Sequence, residues 1–336
     1  MGVITSQKIT SFYERFKAID VTFSKEIIRV TGLVSQQVYL KCGGDFWPCV
    51  IYSSSFETAK IAANVQSGLV EKLRQANNVA GLRFCFKTAD VDTPVTFFVS
   101  ARVCGYSPYG NSKDIALFSL QFTQRPPDDL IGIIGTVLDA NVNSAKRSDE
   151  RILLTVDSIR KLGILSKETA VFIQGVPRRC ILRDVSFSGA KLIMMGIAKF
   201  LINREAALRV DFDDPRESFL LRGSFVRSEE VEGRKEMIAL AIKFAGGGIP
   251  MGYKVRLNNY LTQLRVEYKP ESSAPAGTAA TGNTAVDGAR ADSTAAGSAA
   301  GSPAALPAVT EPGRAEQEDP SAAAGDLPPN PLPKPD

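Results

Sequence analysis

Residues 95–104 read VTFFVSARVC and residues 115–123 read IALFSLQFT. Each run is of strand length and rich in β-branched and aromatic side chains, and SPYGNSKD between them holds the Pro, Gly and Asn that tight turns favour. The pair reads as a β-hairpin. The same grammar recurs along most of the chain. VTFSKEIIRV, QQVYLKC, CVIYSSS and RFCFKTA come before the hairpin. ILLTV, AVFIQGV, RCILRDV and AKLIMM come after it, followed by FLLRGSFVR and MIALAIKF around the charged turn SEEVEGRKE. Many short strands with tight turns have few ways to bury one face each. Closing into small antiparallel barrels is the arrangement that also removes the sheet edges.

Helical spacing interrupts this pattern in four places. SQKITSFYERFKAI, residues 6–19, reads as a short leading helix. Leu69, Leu73 and Ala76 share one face of a helix over 67–77 that Asn77 and Asn78 can end. QRPPDD, residues 124–129, breaks the chain with two prolines and offers Asp128 or Asp129 as a helix cap. Beyond it Leu130, Ile133, Ile134, Val137 and Leu138 fall on one stripe, which predicts an amphipathic helix over 129–141. Tyr253, Leu257, Tyr260, Leu261 and Leu264 form the last such stripe, a closing helix placed across a barrel mouth or against the other domain. The expected organisation is a β domain over 1–125, a helix and linker over 126–145, a second β domain over 146–268 and a tail over 269–336. The fold class expected is mainly β: two small antiparallel barrel-like domains joined by a helix, with a C-terminal covering helix. No strong internal sequence repeat stands out.

The tail is set apart by composition. From Glu271 onward the chain is largely Ala, Gly, Ser, Thr and Pro. Such a stretch buries too little apolar surface to offset its ordering entropy, so disorder is expected there. It carries nine acidic and three basic residues, against 27 acidic and 37 basic in the rest. A basic body suits an anionic ligand, although surplus Lys also serves solubility alone. The five cysteines, Cys42, Cys49, Cys85, Cys104 and Cys180, show no C-x-x-C spacing and the chain has no His. That composition argues against a zinc site and suits a reducing cytoplasm. No apolar run reaches membrane-span length.

Two short stretches carry chemistry. KRSDER holds Arg147 and Arg151, four apart, and DVSFSG holds Asp184, Ser186 and Gly189. In this order and in β-rich surroundings they resemble the signature of the PilZ domain family, bacterial receptors for cyclic di-GMP. That family pattern is R-x-x-x-R in a loop before the first barrel strand, then D/N-x-S-x-x-G; the gap here is at the long end. The resemblance covers roughly residues 140–265. With a β domain ahead of it, the arrangement is similar to the two-domain PilZ receptors of spirochaetes, whose front domain is PilZ-like without the binding motif. Neither motif occurs in residues 1–140.

The residue types suit that ligand on physical grounds. A guanidinium fork binds phosphate bidentately, pairs with guanine O6 and N7, and stacks on a base. The Asp184 carboxylate can accept from guanine N1–H and N2–H. Ser186 lies beside it on the same side of an extended strand, and Gly189 allows close backbone approach or a positive φ. Lys146, Arg183 and Ser188 are auxiliary candidates. The bland readings are an Asp-Ser turn bonding its own backbone and a solvated Arg pair matched to Asp149 and Glu150. Arg179 and Arg183 also fit R-x-x-x-R, but they lie inside a strand and read as strand surface.

No proton has to move at such a site, and the expectation is a binding protein, not an enzyme, with no cofactor and no metal. The resemblance implies cyclic di-GMP as ligand, an unidentified protein partner, and an output in motility, envelope or virulence control. The Arg loop continues directly from the interdomain helix, so its closure on a nucleotide would set the angle between domains. The alternatives are a degenerate PilZ module that binds no nucleotide, and a nucleic-acid-binding barrel. The second is disfavoured because most aromatics sit at apparent core positions, as in VTFFV and ALFSLQF; nucleic acid is therefore not an expected partner.

Overall fold

The computed structural model describes residues 5–87, 93–234 and 236–267. The expectation of a disordered tail falls on residues outside those described. In chain order the front half runs α1 (Ser6–Phe16), β1 (Val21–Thr22), α2 (Lys25–Thr31), β2 (Tyr39–Cys42), β3 (Asp45–Ser54), β4 (Thr58–Asn64), α3 (Leu69–Gln75), β5 (Val79–Phe86), β6 (Val95–Pro108) and β7 (Ile115–Phe122). Helix α4 (Asp128–Lys146) follows. The rear half runs β8 (Ile152–Leu153), α5 (Val156–Leu162), β9 (Glu168–Ile173), β10 (Val176–Val185), β11 (Gly189–Met195), α6 (Ala198–Leu201), β12 (Glu205–Phe212), β13 (Glu217–Glu230), β14 (Met237–Phe244) and α7 (Met251–Glu267).

Both halves are closed antiparallel barrels, as the strand pattern predicts. The front ring runs β3-β2-β5-β6-β7-β4 and closes through the β3–β4 pairing. The rear ring runs β10-β9-β12-β13-β14-β11 and closes through β10–β11. Short strands β1 and β8 pair onto β3 and β10.

Several sequence expectations are corrected. VTFSKEIIRV is strand only at Val21–Thr22 and helix from Lys25, despite its β-branched residues. Ser24 caps that helix by accepting the Ile27 N–H (3.3 Å), and Gly32 at φ 72° closes it. Capping at both ends outweighs a weak β propensity. ILLTV likewise gives two strand residues and then α5, started by a capping box of Thr155 and Ser158. Helix α4 runs five residues past its expected end, to Lys146, with Arg147 as its C-cap. Strand β12, EAALRVDF, was not anticipated, although its burial alternates strictly.

The two barrels form a structural repeat of which the sequence keeps little. Val21 pairs with Ser54 in front, and Ile152 with Val185 behind. The offset between these pairs holds for the N-caps Ser24 and Thr155 and for the left-handed closing glycines Gly32 and Gly163. It also holds for the bulges between Ile51 and Ser53 and between Leu182 and Asp184. At that offset SSSFET, residues 53–58, stands where DVSFSG stands behind. Ser55 N–H bonds Thr58 O (2.9 Å) as Ser186 N–H bonds Gly189 O (2.8 Å). The same backbone device is kept while Asp184 is matched by Ser53, Gly189 by Thr58 and Arg151 by Asp20.

Helices complete each barrel. Phe12 and Phe16 of α1 and Leu130, Ile131, Ile134 and Val137 of α4 belong to the front core. Tyr253, Leu257, Tyr260 and Leu261 of α7 belong to the rear core. Each such side chain contributes on the order of 1.5–3 kcal/mol through burial. The closing helix satisfies both placements considered for it, because α7 also meets α4 through polar side chains. Cys42, Cys49, Cys85 and Cys180 are buried and Cys104 is exposed; burial pushes the Cys49 and Cys180 thiols up to about 12.

Candidate functional site

The last turn of α4 hands the chain to the Arg loop. Arg147 N–H donates to Asn143 O at 2.9 Å, and Glu150 N–H donates to Arg147 O at 3.1 Å. The loop then crosses the signature turn and is fastened to it twice. Ser188 N–H donates to Ser148 O (3.0 Å), and Ser188 Oγ donates to Asp149 Oδ1 (2.9 Å). The two motifs, separated in sequence, are therefore one surface.

Arg151 and Asp184 face each other at its centre, with Arg151 Nη1 2.5 Å from Asp184 Oδ1. The Arg151 side chain is 46% exposed and that of Asp184 13%. Arg147 lies deeper. Its Nε is 4.0 Å from Glu150, and among the described residues its Nη1 is the buried side-chain polar atom that has no partner. A buried N–H without an acceptor costs on the order of 1–3 kcal/mol, so this guanidinium is held with unspent donor capacity. Arg265 reaches Glu150 from the end of α7 at 3.4 Å.

The other sequence candidates divide. Ser186 is fully buried, its Oγ donating to Gly189 O and accepting Gly189 N–H, both at 3.1 Å. Its hydroxyl is consumed in shaping the turn, as that of Ser55 is at the matching position, where it accepts Thr58 N–H at 3.0 Å. Gly189 is not in the left-handed region; a Cβ there would stand 2.3 Å from Ile242 O on the neighbouring strand. The close approach it permits is that of β14. Gly189→Ala should therefore lower the urea unfolding midpoint, at a cost of about 1–3 kcal/mol. Unchanged stability with lost nucleotide binding would instead return Gly189 to a ligand-facing part. Ser188 fastens the Arg loop. Lys146 is exposed at the end of α4. Arg183 is exposed on β10 and, after Lys191 and Arg227, adds to the positive field that holds the Glu229 carboxyl below its usual range. Arg179 is further along the same strand, beside an apolar groove with Arg178 and Ile181.

Two groups behind the site were not anticipated. Tyr253 of α7 plugs the rear barrel among Phe212, Phe219 and Phe244 and donates its hydroxyl to Ser186 O at 2.9 Å. Burial first, and the Asp184 charge second, push its phenol well above the usual range. One turn before Arg147, Asn143 Nδ2 donates to Asp139 Oδ2 (3.0 Å) and to Asn258 Oδ1 of α7 (2.9 Å). Asn258 Nδ2 also donates to Asp139 Oδ2 (3.0 Å), and Arg15 of α1 reaches Asp139 Oδ1 (3.2 Å). A carboxylate inside the apolar stripe LIGIIGTVLDANV was the sequence signal for this cluster. Among the described residues no group of three or more His, Cys, Asp or Glu is placed to hold a metal, and no helix is long and apolar enough to cross a membrane.

The two barrels share one topology, and an arginine loop is fastened over a carboxylate turn on the second only. Residues 7–141 match the PilZN3 domain family. The chain is similar to a protein of Treponema denticola described as a cyclic di-GMP binding protein, 44% identical over 273 residues, which are 81% of this chain and 86% of the relative. The chain belongs to the PilZ family of cyclic di-GMP-binding proteins. It also resembles the crystal structure of Borreliella burgdorferi PlzA in complex with c-di-GMP, at 23% identity and a TM-score of 0.35, covering 76% of this chain and 98% of that one. Escherichia coli YcgR in complex with c-di-GMP matches at 11% identity and a TM-score of 0.25, covering 79% and 93%.

Proposed function

We propose that this chain binds cyclic di-GMP at the mouth of the rear barrel and acts as a receptor, not as an enzyme. The observation that carries the reading is the Arg loop fastened over DVSFSG, with one guanidinium paired to Asp184 and the other holding an unpartnered buried donor. Arg147 and Arg151 supply forks for the two phosphates or the Hoogsteen edge of guanine. Asp184 reads guanine N1–H and N2–H. Ser186, Ser188 and Gly189 keep the turn in shape, and Lys146 and Arg183 add positive field. The Treponema denticola relative supports the ligand, since its description names it.

The second part of the proposal is a change in how the barrels are arranged. A nucleotide that draws Arg151 from Asp184 and engages Arg147 pulls on the C-cap of α4. Asn143, whose carbonyl holds that cap, is bonded by its side chain to α7. The α4–α7 junction is the element the ligand would bias, and a protein partner would read the new surface. Calorimetric titration of the intact chain with cyclic di-GMP, with GTP as control, tests the receptor reading: saturable heat for the first alone is expected, and none at all would overturn it. Small-angle scattering at saturation tests the rearrangement separately. A profile identical to that of the unliganded chain would remove that part and leave the receptor standing.

A further inference from the structure

Strand β10 meets its two neighbours over different lengths. Val176–Ile181 pair with β9, but pairing with β11 begins only at Ile181, opposite Ile193. Beyond that point Val176–Cys180 on one side and Met194–Met195 on the other face a gap, each strand held from behind by β9 or β14. Peptide groups alternate in direction along a strand. Leu182 N–H donates to Lys167 O (2.8 Å) on the β9 side, and Gly196 N–H donates to Glu236 O (3.3 Å) on the β14 side. The peptide groups of Arg179 and Met195 therefore point into the gap, and neither has a strand partner there. Pro177 takes the other gap-facing position of β10, a place that a strand edge tolerates and a paired strand does not. The front barrel closes the same place. Its β3–β4 pairing continues to Cys49 and Ala63, which match Cys180 and Met194 at the repeat offset. Trp47, matching Arg178, packs against the front core and donates Nε1–H to Ser67 O (3.3 Å). Helix α3 follows with Leu69 and Leu73 buried, whereas α6 has four residues and buries Leu201 alone. The rear barrel is left with a groove of about 710 Å³ lined by Ile181, Ile193, Met194, Met195 and Met237. Met195 is 65% exposed, and Ile197 and Phe200 just beyond it in the chain are 64% exposed each.

We propose that this groove takes an extended segment of a partner protein as an added strand along β10, a segment with apolar residues at alternate positions and at least one carboxylate. The open peptide groups of Arg179 and Met195 need N–H and C=O partners, which an extended chain supplies and an acyl chain would leave buried and unpaired. Methionine side chains adapt to varied apolar shapes, and three of the chain's five line this groove. Arg178 and Arg179 are exposed at its rim and form no ion pair among the described residues, against one acid, Glu168. That balance asks for a carboxylate in the occupant. It also disfavours a second copy of this chain, because two β10 edges meeting about a twofold axis would set the arginine pairs against each other. The groove lies at the other end of β10 from Asp184 and does not depend on the reading of the Arg loop.

The test is selection of a random dodecapeptide phage library on the intact chain, followed by fluorescence anisotropy of synthetic copies of the enriched peptides. Enriched sequences should alternate apolar residues with others and carry Asp or Glu. Arg178→Glu/Arg179→Glu should weaken their binding about 30-fold or more, since repulsion replaces a charge-assisted pair, and should leave the cyclic di-GMP titration as in the parent. Arg179→Gln and Arg179→Pro both remove the charge, but only Pro removes the N–H that faces the gap; it should cost about a further fivefold, the worth of one backbone hydrogen bond. Thermal melting checks that each variant is folded. Hydrogen–deuterium exchange asks the same question of the parent chain: bound peptide should slow exchange of the Arg179 and Met195 amides. No enrichment over the charge-reversed variant, enriched peptides with apolar residues at helical spacing, or amides left unprotected by bound peptide overturns the proposal. A concentration-dependent dimer in sedimentation velocity, lost in the charge-reversed variant, overturns it as well and gives the groove to a second copy.

Discussion

Replacing Arg147 and Arg151 together by Ala is expected to weaken cyclic di-GMP binding by about 100-fold or more in calorimetric titration. Each guanidinium supplies charge-assisted hydrogen bonds worth roughly 1.5–3 kcal/mol, and about 1.4 kcal/mol is tenfold in affinity. The two single variants should differ in character. Arg151→Ala leaves Asp184 facing the ligand without its 2.5 Å partner, so a dianion meets an uncompensated carboxylate. Arg147→Ala removes a guanidinium whose Nη1 has no acceptor, so the folded protein should lose little stability while the ligand loses a prepared donor. Changing both to Lys keeps the charge and removes the fork; less than a tenth of the affinity should remain. Parent-like binding by the double Ala variant would show that the nucleotide does not use this loop.

Asp139→Ala should be the most damaging single change to stability away from the hydrophobic cores. Its carboxylate accepts from Asn143, Asn258 and Arg15, and it is only 6% exposed. Removal strands two buried amide donors between helices, and breaking a buried charged network costs on the order of 3–5 kcal/mol. For a chain of this size that is a fall in Tm of roughly 10 °C, read by thermal melting followed through far-ultraviolet circular dichroism. Asp139→Asn keeps an acceptor and should lose less than half as much. A melt unchanged by the Ala variant would mean that water or a shift of α7 satisfies both asparagines, and the junction could not then serve as the element that senses the nucleotide.

The barrels and the candidate site were legible in the sequence to different depths. Alternation within strands and turn residues between them report burial directly, which is why β6, β7, β13 and β14 were readable. Helices α2 and α5 were not, because Ile, Val and Leu fill three of seven positions in each and read equally as strand, while the deciding information sits outside them, in Ser24 and Gly32 and in Thr155 and Gly163. Arg147, Arg151 and Asp184 were readable because charge at a fixed spacing is rare enough to be noticed. The parts of Ser186 and Gly189 were left open between turn and ligand. A hydroxyl and a missing Cβ look the same whether they face a ligand or their own turn, and only the Ser55 counterpart and the Ile242 carbonyl separate the two cases. The repeat was hidden because little more than IIRVTGL against SIRKLGI and SSSF against DVSF survives of it. Hydrogen bonds of the backbone outlast side-chain identity, so the register kept what the alphabet lost.

Helix α4 contributes Leu130, Ile131, Ile134 and Val137 to the front core and ends in the cap that launches the Arg loop behind. It is the last element of one barrel and the first of the next. There is consequently no clean place to divide one barrel from the other. A fragment ending before Asp128 would leave the front barrel open along the groove where α4 lies, and a fragment starting after Lys146 would free the Arg loop from the helix that aims it. One barrel is the unit that repeats in the topology; the pair joined through α4 is the unit that packs.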